Sequence, residues 1–144
     1  MKRTDLAYTA GIVDGEGTIG IYRIPHKNGK ASYILQVFVG NTNEWLIQWL
    51  RFAFGGSIVY RPSLEDSNHK PSWVWRLTAN KALRFLNLVY PYLRLKKPQA
   101  DLAIKFQSPR LGQGHHPTEE QRAVEEAQKI IMHGLNKRGI INVQ

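Results

Sequence analysis

The sequence predicts an α+β fold in which an antiparallel sheet carries its helices on one face. The order of predicted elements is the first observation: helix, hairpin, helix, hairpin, helix, and then further helices. The second is apolar alternation with period two in the hairpin segments. The third is size, since 144 residues with 42% hydrophobic content suffice for one domain with a core. We expect this core over about residues 4–107 and a C-terminal helical extension over about residues 117–139.

The first helix is predicted to start near Thr4 or Asp5, because both residue types are good N-caps. It should end near Asp14, where Gly15 and Gly17 stop it. We therefore expect a helix of about three turns.

Two strands follow, over residues 18–24 and 32–40, with a polar turn between them. Alternation directs one apolar set of the second strand toward the core. These residues are Tyr33, Leu35, Val37 and Val39. The opposite face of the sheet is predicted to carry Tyr22, Ser32, Gln36, Tyr60 and Arg76.

A second helix is predicted in the segment NTNEWLIQWLRFAFGG, with N-cap candidates at residues 41–43 and a closing pair of glycines. The segments SIVYRP and SWVWRLT read as a second hairpin around a polar loop. Asn80 or Lys81 should open a third helix, and a shorter fourth helix should start near Pro98.

The last helix is predicted from a capping-box pair, Thr118 and Gln121. The loop before it is rich in glycine and proline, and we expect its pair His115 and His116 to be solvated. The helix should run through Ala127, Ile130 and Ile131.

The charge of the chain favours a polyanionic partner. The formal net charge is +9, from 20 Lys and Arg against 11 Asp and Glu, which is typical of nucleic-acid-binding proteins but also of ribosomal or membrane-surface proteins. The chain has no cysteine, no signal-peptide pattern and no run of about 18 apolar residues. We therefore expect an intracellular protein of the cytoplasm, nucleoid or an organelle, neither secreted nor membrane-bound.

The first helix carries two unusual features. Ala7, Gly11 and Gly15 are spaced by four and share one face, although a mid-helix glycine costs about 1 kcal/mol relative to alanine. This favours close approach of another helix, with packing of Gly11 against the chain's own core as the alternative. Asp14 and Glu16 lie at the helix C-terminus, where a carboxylate costs about 0.3–1 kcal/mol. We therefore expect something positive to bind there.

The segment TAGIVDGEG, residues 9–17, resembles the LAGLIDADG signature of homing endonucleases. Glu16 stands where that family has its catalytic acid, and Thr9 replaces a leucine. The order αββαββα is also the family's, and the segments NTNEWL and PYLRLKKPQADL look like further landmarks. The resemblance runs from about Asp5 to Phe106 and is loose beyond it. The residues that match the signature outright are Ala10, Gly11, Asp14 and Gly17.

The resemblance implies a sequence-specific DNA endonuclease that hydrolyses phosphodiester bonds with a divalent metal, usually Mg²⁺. Two signature helices would pack through their small residues, and Glu16 with the Gly15 carbonyl would bind the metal where they meet. This chain carries one signature, so the resemblance implies a homodimer with two-fold symmetry and a long, roughly palindromic target in double-stranded DNA. The implied dimer interface comprises Ala7, Ala10, Gly11 and Asp14.

Three further residues have roles that the resemblance suggests but the sequence leaves open. Asp14 lies about 200° from Glu16 around a regular helix, so both cannot face one metal; it would hydrogen-bond the helix end or the partner chain instead. Lys96 matches the family's active-site lysine, with adjacent Lys97 or a solvated role as alternatives. Asn41 matches a polar residue that orients water, and its alternative is to cap the second helix.

The sheet would form a DNA-binding saddle, since a two-stranded antiparallel ribbon fits the major groove. Gln36 could bond adenine and Arg76 guanine, whereas Lys27 and Lys30 should meet phosphates. A charged face that only keeps the protein soluble is the alternative. The predicted DNA-binding residues are Tyr22, Arg23, Lys27, Lys30, Ser32, Ile34, Gln36, Tyr60, Arg61, Lys70 and Arg76.

Two other functions share these sequence features. One is an RNA maturase that assists splicing of its host intron RNA, and the sequence does not exclude it. The other is a catalytically inactive DNA-binding regulator of the same fold. The presence of both Glu16 and Lys96 disfavours the regulator, because binding alone needs no metal-ligating carboxylate.

Overall fold

The computed structural model describes residues 1–65, 68–110 and 114–137. Within them, five α-helices accompany one four-stranded antiparallel sheet whose strand order is β1-β2-β4-β3. Short 3₁₀ turns follow the third and fourth helices. The elements are α1 (Arg3–Glu16), β1 (Gly17–Pro25), β2 (Ala31–Asn41), α2 (Glu44–Phe54), β3 (Ser57–Arg61), β4 (Ser72–Thr78), α3 (Ala79–Val89), α4 (Lys97–Gln107) and α5 (Glu119–Leu135).

One face of the sheet forms the core with the helices. The alternation predicted for β2 is confirmed, because Tyr33, Leu35, Val37 and Val39 are all buried. Trp75 of β4 is fully buried as well, and its indole N–H donates to the Gly55 carbonyl at 2.7 Å. The α+β class with helices against an antiparallel sheet is therefore confirmed.

The first helix differs from its prediction at both ends. It begins at Arg3, and its N-cap Lys2 makes no side-chain cap, so neither Thr4 nor Asp5 caps it. It also continues through Gly15 to Glu16, and Gly17 is the C-cap. Nothing local forces a stop at Gly15, because this glycine is exposed and has no positive φ angle.

The capping box of the last helix is confirmed. Thr118 accepts from the Gln121 amide at 3.2 Å, and the Gln121 side chain accepts from the Thr118 amide at 2.8 Å. The helix ends at Leu135, before the predicted limit, and residues 138–139 of the predicted extension lie outside the described residues. Glu125 and Met132 are its buried residues, whereas the residues used to trace it are exposed: Ala127, Ile130 and Ile131.

Candidate active site and nucleic-acid interface

Glu16 presents an exposed carboxylate at the C-terminal end of α1. The side-chain nitrogen of Asn41, Nδ2, donates to Glu16 Oε2 at 2.6 Å. Asn41 Oδ1 accepts from the backbone of Asn43 at 2.7 Å, and Asn43, not Asn41, caps α2. The capping alternative for Asn41 is therefore wrong, and its side chain instead orients the Glu16 carboxylate.

Asp14 faces away from Glu16, toward the segment that precedes α4. Its Oδ2 accepts from the Arg94 amide at 2.8 Å, and its Oδ1 accepts from the amides of Leu95 and Lys96 at 3.2 and 3.0 Å. Because α1 is helical through Glu16, the two acids point in different directions, as helical periodicity predicts. Asp14 is thus engaged within its own chain.

Lys96 supplies the positive charge expected at the end of α1. Its Nζ donates to the carbonyls of Val13 and Asp14, both at 2.9 Å. Burial lowers the pKa of Lys96, and the Asp14 carboxylate offsets part of that shift. The solvated alternative is therefore wrong, while the adjacent Lys97 lies apart, with Nζ 5.4 Å from the centre of the Tyr90 ring.

A cleft of about 430 Å³ brings Glu16 and Lys96 together. The sequence reasoning missed two residues that close it, Gln99 and Asn136. The side-chain Nδ2 of Asn136 donates to the Ile19 carbonyl at 2.8 Å, and the side-chain Nε2 of Gln99 donates to Asn136 Oδ1 at 3.3 Å. No local signal identifies this contact, because 117 residues separate Asn136 from Ile19. The cleft is lined by Gly15, Glu16, Gly17, Thr18, Lys96, Gln99, Leu135 and Asn136.

The small-residue stripe of α1 faces outward. Ala7, Gly11 and Gly15 are exposed, and a Cβ atom added at either glycine would meet nothing within 4 Å. The alternative that Gly11 packs against its own core is therefore wrong. Ala10, also predicted to lie in a dimer interface, is instead fully buried in the core of its own chain and is not on this face. Asp14 contacts its own chain, as described above.

The sheet face opposite the helices carries most of the predicted nucleic-acid contacts. Strand register opposes Tyr22 with Ile34 and Phe38 with Arg76. Lys27 and Lys30 are exposed in the first hairpin turn. The residues of this face also include Ser32, Gln36 and Arg61.

Two predicted positions do not share that face. Tyr60 opposes Trp73, and the two ring centres are 5.3 Å apart on the side of buried Trp75. Arg23 opposes buried Tyr33, so it too belongs to the helix side, where it is exposed near the hairpin tip. The predicted face of Tyr60 was wrong because apolar and polar residues do not alternate clearly along β3. Arg23 lies on the same face of β1 as Ile19 and Ile21, as strict alternation along a strand requires.

Arg76 lies against the aromatic ring of Phe38 on this face. Its guanidinium carbon lies 5.9 Å from the centre of the Phe38 ring, and Tyr22 packs beside Phe38 with centres 6.4 Å apart. The Arg76 Nε is buried without a hydrogen-bond partner in the described chain. Burial also raises the pKa of Tyr22. Phe38 was not among the predicted contacts, although it shares the alternation of Gln36.

Basic residues of the second hairpin reach the end of β2. Arg61 and Lys70 line a cleft of about 600 Å³ together with Asn41. Asn41 also donates to Glu16, so this cleft and the end of α1 have Asn41 in common.

The oxygen donors of this chain suit a hard divalent cation in kind but not in number. Glu16 offers an exposed carboxylate, and the Gly15 carbonyl is not among the carbonyls that Lys96 binds. Such cations take about six or more oxygen ligands. No group of three or more His, Cys, Asp or Glu able to hold a metal occurs within residues 1–65, 68–110 and 114–137. Oxygens from outside the chain would have to complete the coordination.

Both histidines of the predicted solvated pair are exposed, but His115 also contacts an acid of α5. His115 Nε2 lies 2.8 Å from Oε2 of the buried Glu125, which also lies 3.7 Å from Arg110 Nε. This cluster joins α5 to the end of α4, away from the cleft at Glu16.

In the part of the chain that the structure describes, no helix is long and apolar enough to cross a membrane.

Comparison with solved structures identifies the fold. Neither known protein-family profiles nor curated protein sequences match the chain. The homing endonuclease I-CvuI, in complex with its target in the presence of 2 mM Ca, superposes with a TM-score of 0.76 at 16% identity, covering 97% of this chain and 87% of that one. An archaeal intron-encoded homing endonuclease, I-Vdi141I, complexed with DNA, superposes with a TM-score of 0.78 at 14% sequence identity. That match covers 98% of this chain and 89% of the other.

The LAGLIDADG homing endonuclease I-SmaMI, bound to cleaved DNA, gives a TM-score of 0.69 at 20% identity. The match covers 95% of this chain but only 45% of that longer one. These structural neighbours are homing endonucleases, I-SmaMI being of the LAGLIDADG type, and nearly the whole chain has their fold.

Proposed function

We propose that the protein is a sequence-specific DNA endonuclease that makes a metal-dependent double-strand break as a homodimer. The observation that carries this proposal is the arrangement at the end of α1. An exposed Glu16 carboxylate is oriented by Asn41 and shares a cleft with the Lys96 ammonium. An acid and a cation, fixed beside an open cleft on a basic protein, suit hydrolysis of a phosphodiester.

Glu16 and the Gly15 carbonyl would hold Mg²⁺, because a hard cation prefers oxygen donors. A bound divalent ion would polarise the phosphate and activate water for in-line displacement. Lys96 would donate to the charge that develops on the scissile phosphate. Its present partners are backbone carbonyls, so its ammonium is already fixed within the cleft's wall. Asn41 would keep one Glu16 oxygen oriented.

The homodimer is proposed from the exposed face of α1. Ala7, Gly11 and Gly15 leave open space where a second helix could approach closely. Each protomer would offer one Glu16, and two such acids near a two-fold axis would serve the two strands of the DNA. A two-fold dimer would favour a long, roughly palindromic target, since protein symmetry is mirrored in the half-sites.

Double-stranded DNA is the proposed partner of the sheet face. Arg76 and Gln36 are suited to base edges in the major groove, whereas Lys27 and Lys30 at the hairpin turn are suited to phosphates. The net charge of +9 supports a polyanionic partner. A maturase acting on host intron RNA and an inactive DNA-binding regulator remain as outcomes of the test below.

The test is cleavage of a plasmid library with long randomised sites by the purified protein in Mg²⁺. Wild type should cut a subset of sites, whereas Glu16→Gln should bind the selected site with similar affinity and not cut it. Glu119→Gln is the matched control, because Glu119 is an exposed acid in the first turn of α5. Binding without cleavage by wild type would identify a regulator, and intron splicing without either would identify a maturase.

A further inference from the structure

Asp14 and Lys96 bind each other's backbone in both directions. The Asp14 carboxylate accepts three successive amide groups, those of residues 94–96. The Lys96 ammonium in turn donates to the carbonyls of Val13 and Asp14. The end of α1 and the segment before α4 are therefore joined by five hydrogen bonds that involve only these two side chains.

The Asp14 contact fixes the backbone of a segment that has few other attachments. Leu93 is buried at its start, but Arg94 and Leu95 are exposed, and Leu95 is 72% accessible. The side chains of these two residues therefore do not anchor the segment by burial. The amide contacts to Asp14 hold the backbone from which the Lys96 side chain extends.

Asp14 does not itself line the cleft, whereas Lys96 and Glu16 do. Any effect of Asp14 on a phosphate in the cleft must therefore pass through a group that it holds. We propose that Asp14 is a positioning residue, which fixes Lys96 beside Glu16 for the reaction. This inference rests on the endonuclease function proposed above and assigns Asp14 a role separate from metal binding or dimer contact.

A carboxylate is the side chain that this site requires. Two acceptor oxygens with a full negative charge receive three N–H groups, and hydrogen bonds to a charged acceptor are stronger than neutral ones. Asparagine has nearly the same shape, but its amide nitrogen would face donors rather than acceptors. The substitution Asp14→Asn therefore breaks the contact with little change of volume.

A double-mutant cycle tests the inference with single-turnover cleavage of a selected site. Asp14→Asn should lower the cleavage rate constant by about tenfold to a hundredfold, as misplacement of a reacting group does, with target Kd unchanged. In a Lys96→Met background the same substitution should change the rate by less than about twofold. Losses that multiply independently would overturn the proposal.

The matched control is Asp101→Asn. Asp101 is an exposed acid on α4 that accepts one hydrogen bond, from the Tyr90 hydroxyl at 2.7 Å, and it does not line the cleft. It should cleave at the wild-type rate. Asp14→Glu keeps the carboxylate and should retain more activity than Asp14→Asn, and equal losses in the two variants would contradict a positioning role.

Amide hydrogen exchange in the free protein provides a readout that does not depend on cleavage. Asp14→Asn should speed exchange at the amides of residues 94–96, and Asp101→Asn should not. Unchanged exchange would overturn the proposal even if cleavage fell. Faster exchange with an inactive wild type would instead count against the endonuclease function and leave the Asp14 contact standing.

Discussion

Asp14 and Glu16 lie two residues apart at the end of α1, but their surroundings are opposite. Asp14 is half-buried and receives three backbone amides, whereas Glu16 is exposed and receives one side-chain amide. Helical geometry makes this possible, because residues two apart point to nearly opposite sides. One acid joins parts of the chain, and the other faces solvent and the cleft.

The contrast shows how one helix end can hold both a structural and a reactive carboxylate. The unfavourable charge at a helix C-terminus is offset on the Asp14 side by amides and by the Lys96 ammonium. Glu16 keeps unsatisfied ligand capacity, which a cation could use. A carboxylate fully occupied by protein donors would have to lose them before it could bind a metal.

The largest expected effect belongs to Glu16. Glu16→Gln should lower cleavage by about 10²–10³-fold, because a neutral amide would hold the divalent ion, and the transition-state charge that this ion stabilises, less well. Thermal unfolding should be nearly unchanged, because the side chain is exposed. Cleavage rates and unfolding temperatures of the same preparations measure both. Full activity in a pure mutant preparation would contradict the role proposed for Glu16.

The next effect concerns stability on the Asp14 side. Asp14→Ala leaves three amides without their acceptor and should cost about 2–3 kcal/mol of unfolding free energy. Glu16→Ala should cost less than about 0.5 kcal/mol. Urea denaturation measures both values. Equal losses would show that burial does not separate the two acids.

The exposed stripe on the same helix provides a further test of which side of α1 meets a partner. Gly11→Leu should weaken dimerisation by about 1–3 kcal/mol, since overpacking a close contact costs that much. Gly134→Leu is the control, because Gly134 is also exposed on a helix with nothing within 4 Å of an added Cβ. Sedimentation of both variants decides. A wild-type protein that stays monomeric when bound to DNA would contradict the proposed homodimer.

The smallest expected effects concern two basic residues of the sheet and its first hairpin. Arg76 lies against the Phe38 ring, whereas Lys27 is exposed at the hairpin turn. Arg76→Ala should cost about 1–3 kcal/mol on the best site and relax preference at one base pair per half-site. Lys27→Ala should weaken binding to all sequences alike and lower the salt slope by about one per protomer. Site selection at two salt concentrations separates them, and the opposite pattern would mean that the sheet face is misassigned.

Local patterns predicted the elements well where the stabilising contacts are local. The capping box of Thr118 and Gln121 spans four residues, and the alternation of β2 depends only on neighbours in one strand. The end of α1 could not be predicted in this way. The groups that bind its last turn, the Lys96 ammonium and the amides that contact the Asp14 carboxylate, lie about 80 residues away.

The candidate site was predicted in its parts but not in its geometry. Glu16, Lys96 and Asn41 were each identified, yet only the fold reveals that Asn41 holds Glu16 and that Asp14 holds the backbone of Lys96. The sheet face of Tyr60 was predicted wrongly for a different reason. Its strand has apolar residues on both faces, so alternation does not decide which face meets the core.

Of the two acids at the end of α1, we propose that Glu16 binds the metal and that Asp14 does not. Anomalous diffraction from crystals of the protein bound to its selected DNA with Mn²⁺ distinguishes the two acids. We expect an anomalous peak in contact with Glu16 carboxylates from two protomers, and none at Asp14. A peak at Asp14, or Glu16 residues without metal in a complex that is cleaved, would show that the assignment is wrong.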